Sequence, residues 1–314
     1  MAQTIITLPA FAKINWSLRV RGKRPDGYHE IDTILQTISL HDTLTFRTTE
    51  DSQIALSCDD RSIPSDQRNL VWKAAAAMQT RSAEKRGVRI RLEKRIPQQA
   101  GLGGGSSDAA VTLLALASLW QIDVTRGELM EIAAGIGADV PFFLQGGTAR
   151  GTGLGSTITA LEDARETFLL VLKPKSSVPT AKAYRALKAP ALTSSDAKII
   201  LSSSQADDFS GKLDLKTLHN DFEPAAFQLE PEIERAKAVL LKTGPQAALL
   251  AGSGAAIFGA FENRDAQERA IQAIELETGW RVFPCKTVGR NHYETAMGRA
   301  GELVGRLTGE NAGA

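Results

Sequence analysis

Along the first hundred residues, apolar and polar positions alternate more often than they follow a helical period. The segments "TIITLPAFAKINWSLRV" (residues 4–20), "TILQTISLHDTLTFRTT" (33–49) and "VRIRLEKRI" (88–96) are rich in β-branched or alternating residues and predict strands. Between them, "NLVWKAAAAMQT" (69–80) has the helical period, with Asn69 placed as its N-cap. "DAAVTLLALASLW" (108–120) is apolar nearly all round and predicts a helix covered on both sides. A capped helix then follows in "TRGELMEIAAGI", a glycine-punctuated turn leads to "ADVPFF", and "GGTARGTGLGST" predicts a glycine-rich hairpin. Composition shifts near residue 160, where the apolar strand "TFLLVLKP" opens a second half. There "TSSDAKIILSSSQADDFSGKLDLKTLHNDFEP" predicts a surface excursion between helices, and "ALLAGSGAAIFGAF" a strand, turn and strand. The tail "GELVGRLTGENAGA" ends in small residues and is expected to fray. Strands flank helices without regular βαβ repetition, so the class is α+β, with two domains expected at 1–160 and 161–314.

The totals exclude several function classes. Lys and Arg number 37 against 36 Asp and Glu, leaving no field to gather nucleic acid or an anionic membrane. The basic stretch "EKRGVRIRLEKR" reads as a strand with one solvated face. Two cysteines, Cys58 and Cys285, make no disulfide framework, and the four histidines lack the spacing of a helical metal site. No apolar stretch reaches membrane-spanning length, and the N-terminal stretch is not that of a signal peptide. A cytoplasmic protein acting on a small molecule is expected, as a monomer or homodimer.

The densest chemical signal is "PQQAGLGGGSSDAA" (97–110), four glycines and two serines ahead of a buried helix. It lacks the lysine of a P-loop and the third glycine of a dinucleotide-binding turn. What remains is Gly101, Gly103, Gly104 and Gly105 followed by Ser106, Ser107 and Asp108 at a helix start. Unsatisfied N–H groups and the helix dipole there suit a phosphate, and glycines let the chain approach it closely. Either serine suits a phosphate or a magnesium ion; the competing reading is that one of them caps the helix over an ordinary turn.

This loop resembles that of the GHMP small-molecule kinases. With "AFAKINWSLRVRGKRPDGYHEIDT" and "LLAGSGAAIFG", three ordered motifs span Ala10 to Gly259. The block "GKRPDGYH" is similar to the branch of that superfamily whose alcohol substrate is a cytidine-diphosphate ester of 2-C-methyl-D-erythritol. The resemblance implies a ribosomal-protein-like N-terminal domain, a ferredoxin-like C-terminal domain and an active site in the cleft between them. It implies ATP as co-substrate, with Mg2+, and phosphorylation of the 2-hydroxyl of that ester. Gly101, Leu102, Gly103, Gly104, Gly105, Ser106, Ser107 and Asp108 would then bind the ATP phosphates.

The resemblance also gives roles outside the loop. Lys13 and Asn15 share one face of a strand, and a buried lysine there needs an anionic partner; Asp139 is the candidate. In the family the matching pair meets at the acceptor hydroxyl, Asp139 orienting it and accepting its proton late, Lys13 supplying charge. Outside the family, Asp139 also suits an N-cap ahead of Pro141, and Lys13 a surface lysine. Tyr28 would stack on the cytosine, His29 would hydrogen-bond its edge, and Tyr184 would close the sandwich where phenylalanine is usual. Asn15, Gly252 and Ser253 would border the acceptor. Asn69 and Lys94 would border the adenine, although a helix cap and a solvated strand end explain them as well. Another GHMP kinase, a silent binder on the same fold and an RNA module are the alternatives.

Overall fold

The computed structural model describes residues 4–82, 86–187, 189–192, 215 and 218–309. Its frame is a long antiparallel pair, β1 (Ile5–Lys23) with β2 (His29–Thr49), joined by a tight turn. β3 (Ile54–Cys58) runs parallel to β4 (Gly87–Glu93) at one edge. β2 changes partner midway: Thr43–Thr49 pair with β4, whereas Ile31–Gln36 pair with β5 (Thr148–Gly153), which continues into β6 (Thr157–Ala160). The pairing of β1 with β2 is broken by irregularities between Phe11 and Ala12, Asn15 and Ser17, and Val20 and Gly22. Such bulges bend the strand and re-aim side chains next to a site. Four helices follow the alternation of this half: α1 (Leu70–Arg81), α2 (Gly104–Trp120), α3 (Arg126–Ile136) and the single turn α4 (Val140–Phe143).

Helix α1 is capped as its sequence predicts, the Asn69 carboxamide oxygen accepting from Val71 N at 2.9 Å. α3 carries a capping box between Thr125 and Glu128. α2 is buried continuously from Ser107 to Ala117, which its all-apolar sequence demands, and sits between α1, α3, α4 and the sheet. It begins at Gly104, four residues ahead of the predicted start at Asp108, so Gly104, Gly105 and both serines form its first turn.

The second half is an antiparallel sheet in the order β11–β7–β10–β9, from β7 (Phe168–Lys173), β9 (Ala247–Leu250), β10 (Ile257–Phe261) and β11 (Arg281–Lys286). α5 (Thr180–Ala186), α6 (Glu223–Leu229), α7 (Pro231–Leu241) and α8 (Arg264–Ala273) accompany it. A third apolar cluster joins the sheets: Ala12, Ile14, Trp16 and Ile38 meet Leu169, Val171, Phe258 and Ala260, with Trp16 and Phe258 edge to face at 5.5 Å. The chain then returns to its first half. α9 (Arg290–Ala296), the short turn after it and α10 (Gly301–Gly309) bring Tyr293, Met297, Ala300 and Val304 into the core around α2.

Two expectations need correction. The polar segment ahead of α6 is not wholly a surface excursion: β8 (His219–Asn220) pairs in parallel with Ser17–Leu18, and Asn220 and Phe222 are buried. Residues 193–214 and 216–217 of that segment lie outside the described residues. The expected frayed tail is helical through Gly309, and 310–314 lie outside the described residues. Among the described residues no helix is long and apolar enough to cross a membrane.

Candidate active site

A cavity of about 1320 Å³ opens between the two halves, floored by β1 and β2 and walled by the loop before α2, by α5 and by the Gly252–Ser253 turn. The loop is pressed between β1 and that turn. Lys13 N donates to Leu102 O at 2.9 Å, and Ala256 N donates to Ala100 O at 3.1 Å. Gly101 has φ +81°, and a Cβ there would lie 1.8 Å from Ala251 O. Gly103 has φ +72°, and its Cβ would press on Phe143 at 2.8 Å. Both positions therefore require glycine, for backbone conformation and for space.

Gly103 itself occupies the N-cap of α2, without a side-chain cap. Neither serine caps the helix, which removes the ordinary-turn reading of the sequence. The N–H groups of Gly104, Gly105 and Ser106 precede the first intrahelical bond, that of Ser107 N to Gly103 O at 2.9 Å, and stand at the positive end of a seventeen-residue dipole. Ser106 lines the cavity; Ser107 is fully buried and its hydroxyl has no partner. Gly104, Gly105, Leu102 and Asp108 also line it, Asp108 from beneath as a buried carboxyl.

Lys13 is buried and its ammonium donates to Asn15 Oδ1 at 2.8 Å, while Asp139 Oδ2 stands 3.7 Å away. Asn15 is oriented in turn by donating to Thr33 Oγ1 at 2.7 Å, and Thr33 donates to Ser17 O at 2.7 Å. Asp139 stands at the N-cap position of α4 but makes no capping bond, so its carboxylate is turned to the cavity and to Lys13. Lys13 is no surface lysine. Gly252 (φ +57°) brings the third glycine turn against the pair, since a Cβ there would sit 3.0 Å from Lys13 Nζ.

At the opposite end the turn "RPDGYH" is held by its own charges. Arg24 donates to Asp26 and, at 3.0 Å, to Glu30; Asp26 accepts from Tyr28 N at 3.1 Å. Tyr28 is 63% exposed at the cavity mouth. The His29 and Tyr184 rings lie 4.9 Å apart at 33°, and Tyr184 meets Phe222 edge to face at 4.8 Å. Burial, aided by the Asp139 carboxylate, pushes the Tyr184 phenol up to about 12, so it remains a donor. Burial and the nearby Lys23 hold His29 below its ordinary value, keeping the imidazole neutral at physiological pH. Ser253 Oγ stands 3.4 Å from Thr180 Oγ1, across the cavity wall.

Asn69 lines the cavity while serving as the α1 cap. Lys94 also lines it, yet it is no solvated strand end. Its ammonium is buried and donates to Asp42 and, at 2.8 Å, to Asp108. Burial alone would lower Lys94; the Asp108 and Asp42 carboxylates outweigh it and raise the pKa. Burial pushes Asp108 up to about 7, against the pull of Lys94 and with the repulsion of Asp42. Asp42, Thr33 and Asn220 escaped the sequence reading. Asn220 donates to Leu250 O and Gly252 O, both at 2.8 Å, and so fastens the third glycine turn. Its only sequence signal is one amide within a polar stretch.

Two family models match the chain, the GHMP kinases N terminal domain over residues 69–147 and the GHMP kinases C terminal over 200–278. A 4-diphosphocytidyl-2-C-methyl-D-erythritol kinase of Chlorobium phaeobacteroides is 43% identical over 273 residues, covering 84% of this chain and 92% of the relative. The enzyme of the same name from Prosthecochloris aestuarii is 41% identical, covering 89% of this chain and 97% of its own. The chain belongs to this family of GHMP kinases. Structures agree: a crystal structure of 4-(cytidine 5'-diphospho)-2C-methyl-D-erythritol kinase superposes with a TM-score of 0.72 at 35% identity, over 90% of this chain and all of that one. A homoserine kinase from Cytophaga hutchinsonii, at 19% identity and a TM-score of 0.70 over 92% of this chain and 96% of its own, shares the fold. The family's two-domain α+β architecture is the one described above, with a purely antiparallel second sheet.

Proposed function

We propose that this chain transfers the γ-phosphoryl group of ATP to the 2-hydroxyl of 4-diphosphocytidyl-2-C-methyl-D-erythritol. The observation that carries the reading is the placement of the Lys13–Asp139 pair between a glycine-crowded helix start and an aromatic wall, all in one cavity. The exposed backbone N–H groups at Gly104, Gly105 and Ser106 take the triphosphate. The cytosine enters between Tyr28 and Tyr184, with His29 at its edge. The acceptor hydroxyl then lies toward Asp139.

In the transfer, a bond forms between the acceptor oxygen and the γ-phosphorus while the bond from that phosphorus to the ADP oxygen breaks. The transition state is largely dissociative, so the hydroxyl keeps its proton until late. Asp139 orients the hydroxyl and receives that proton as the new bond matures. Lys13, fixed by Asn15, stays beside the carboxylate and offers positive charge to the transferring group.

The donor set suits magnesium carried in with ATP: hard oxygens at Ser106 and Asp139 border the phosphate end of the cavity. Among the described residues no group of three or more His, Cys, Asp or Glu is arranged to hold an ion alone. When bound, the ion neutralises phosphate charge.

The test is ADP release by the purified chain with Mg-ATP, comparing the cytidylated alcohol with mevalonate, homoserine, galactose and 2-C-methyl-D-erythritol 4-phosphate. Turnover confined to the cytidylated compound is expected. Turnover with another acceptor would overturn the base-recognition reading, and none with any would overturn the kinase reading.

A further inference from the structure

The loop that meets the phosphates has two ends, and the same ammonium sits at both. Lys94 lies just before the loop, at the end of β4, and Asp108 just after it, in the first turns of α2; their side chains bond at 2.8 Å, closing a ring of chain around the glycines. The third member anchors this ring to the sheet. Asp42, fully buried on β2, accepts from Lys94 Nζ, from Arg95 N at 2.5 Å and from Ile96 N at 2.8 Å. One carboxylate thus holds both the ammonium and the backbone that enters the loop.

Two carboxyl groups and one ammonium are a costly set to bury, and replacing such a set by apolar side chains of the same volume is often neutral or stabilising. The cluster also offers the triphosphate no net positive charge, since the one ammonium is already shared by two carboxyl groups. Its geometry points to loop closure. Ile96, held by Asp42, packs beneath the helix start: a Cβ on Gly104 would meet Ile96 Cγ2 at 3.0 Å and Lys94 Nζ at 3.3 Å. A shift of Lys94 or Ile96 is therefore transmitted directly to the N–H groups of the helix start.

We propose that Lys94 is the clasp of the phosphate loop, and that Asp42 and Asp108 are positioning residues that hold the loop in its ATP-binding form. The inference rests on the kinase reading for the identity of the ligand, but not for the loop geometry. Asp108→Asn removes one bond of charge to charge while keeping the shape, and Asp42→Asn weakens the anchor. Binding of Mg-ATP, measured calorimetrically on the whole chain, is expected to weaken about tenfold or more in each variant, the scale of losing one hydrogen bond to a charged group. In turnover the loss falls on KM for ATP rather than on kcat or on KM for the acceptor. Amide exchange within residues 97–107 rises, while exchange in the second sheet does not. Lys94→Arg recovers part of what Lys94→Met loses.

Unchanged Mg-ATP affinity in Asp108→Asn and Asp42→Asn would overturn the clasp. So would equal losses for both substrates accompanied by faster exchange throughout the chain, the mark of a general structural role. Should Lys94→Met fail to fold, the two asparagine variants decide the question. A wild-type chain that binds Mg-ATP but phosphorylates no acceptor would count against the kinase reading and leave the clasp standing.

Discussion

The two ends of the cavity are built on opposite principles. At the phosphate end, backbone presses on backbone: a Cβ on Gly101 or Gly254 would lie 1.8 or 2.1 Å from a main-chain atom of the facing loop, and the surrounding charges are buried. At the base end, recognition is left to side chains on a solvated turn, with Tyr28 largely exposed and Arg24 and Asp26 paired in water. On the proposed function, the rigid end takes the ATP phosphates and the open end the cytidylated alcohol. On that reading, changes at Tyr28, His29 and Tyr184 are expected to alter acceptor choice and leave the glycine loop before α2 undisturbed.

Four changes would break or sharpen this contrast. The largest effect is expected at the centre, where Asp139→Asn should lower kcat by about 10²- to 10⁴-fold while Mg-ATP still binds; a rate near wild type would remove Asp139 from the chemistry. Next, Gly101→Ala forces a Cβ into the Ala251 carbonyl at positive φ, a strain of about 1–3 kcal/mol, and should weaken ATP far more than the acceptor in paired titrations. Equal losses would show that the two ends are not independent. Tyr28→Ala gives up a stacking face worth about 1–3 kcal/mol and should raise KM for the acceptor alone. The smallest effect is in pH. Because His29 is held below its ordinary value of 6.5, its neutral form persists through the neutral range, and acceptor affinity should decline only on the acid side of that value. The decline should vanish in His29→Gln; its persistence would assign the titration to another group.

Much of the frame was legible from the period of the apolar residues. The long strands, the Asn69 cap and the β5–β6 hairpin all stand where alternation and glycine placed them. The start of α2 was missed because glycine has a poor helix propensity; burial of the residues behind it and the tight seat against Phe143 override that preference. That Lys13 needs an anion follows from chemistry, since a buried ammonium must be paired, and the family resemblance names Asp139 as that anion. Asp42 and Asn220 were not legible, for a physical reason. Each acts through bonds to partners 30 or more positions away, and no local pattern records such a meeting.

The return of α9 and α10 to the first core has a consequence for biosynthesis. Tyr293 fills the space over Gly146 and donates to Phe143 O, and Met297, Ala300 and Val304 cover α2. Domains usually fold as units while the chain emerges, the N-terminal one first. Here the half made first lacks part of its apolar cover until the last helices leave the ribosome. The nascent first half must wait, with that surface open, until α9 and α10 have been made.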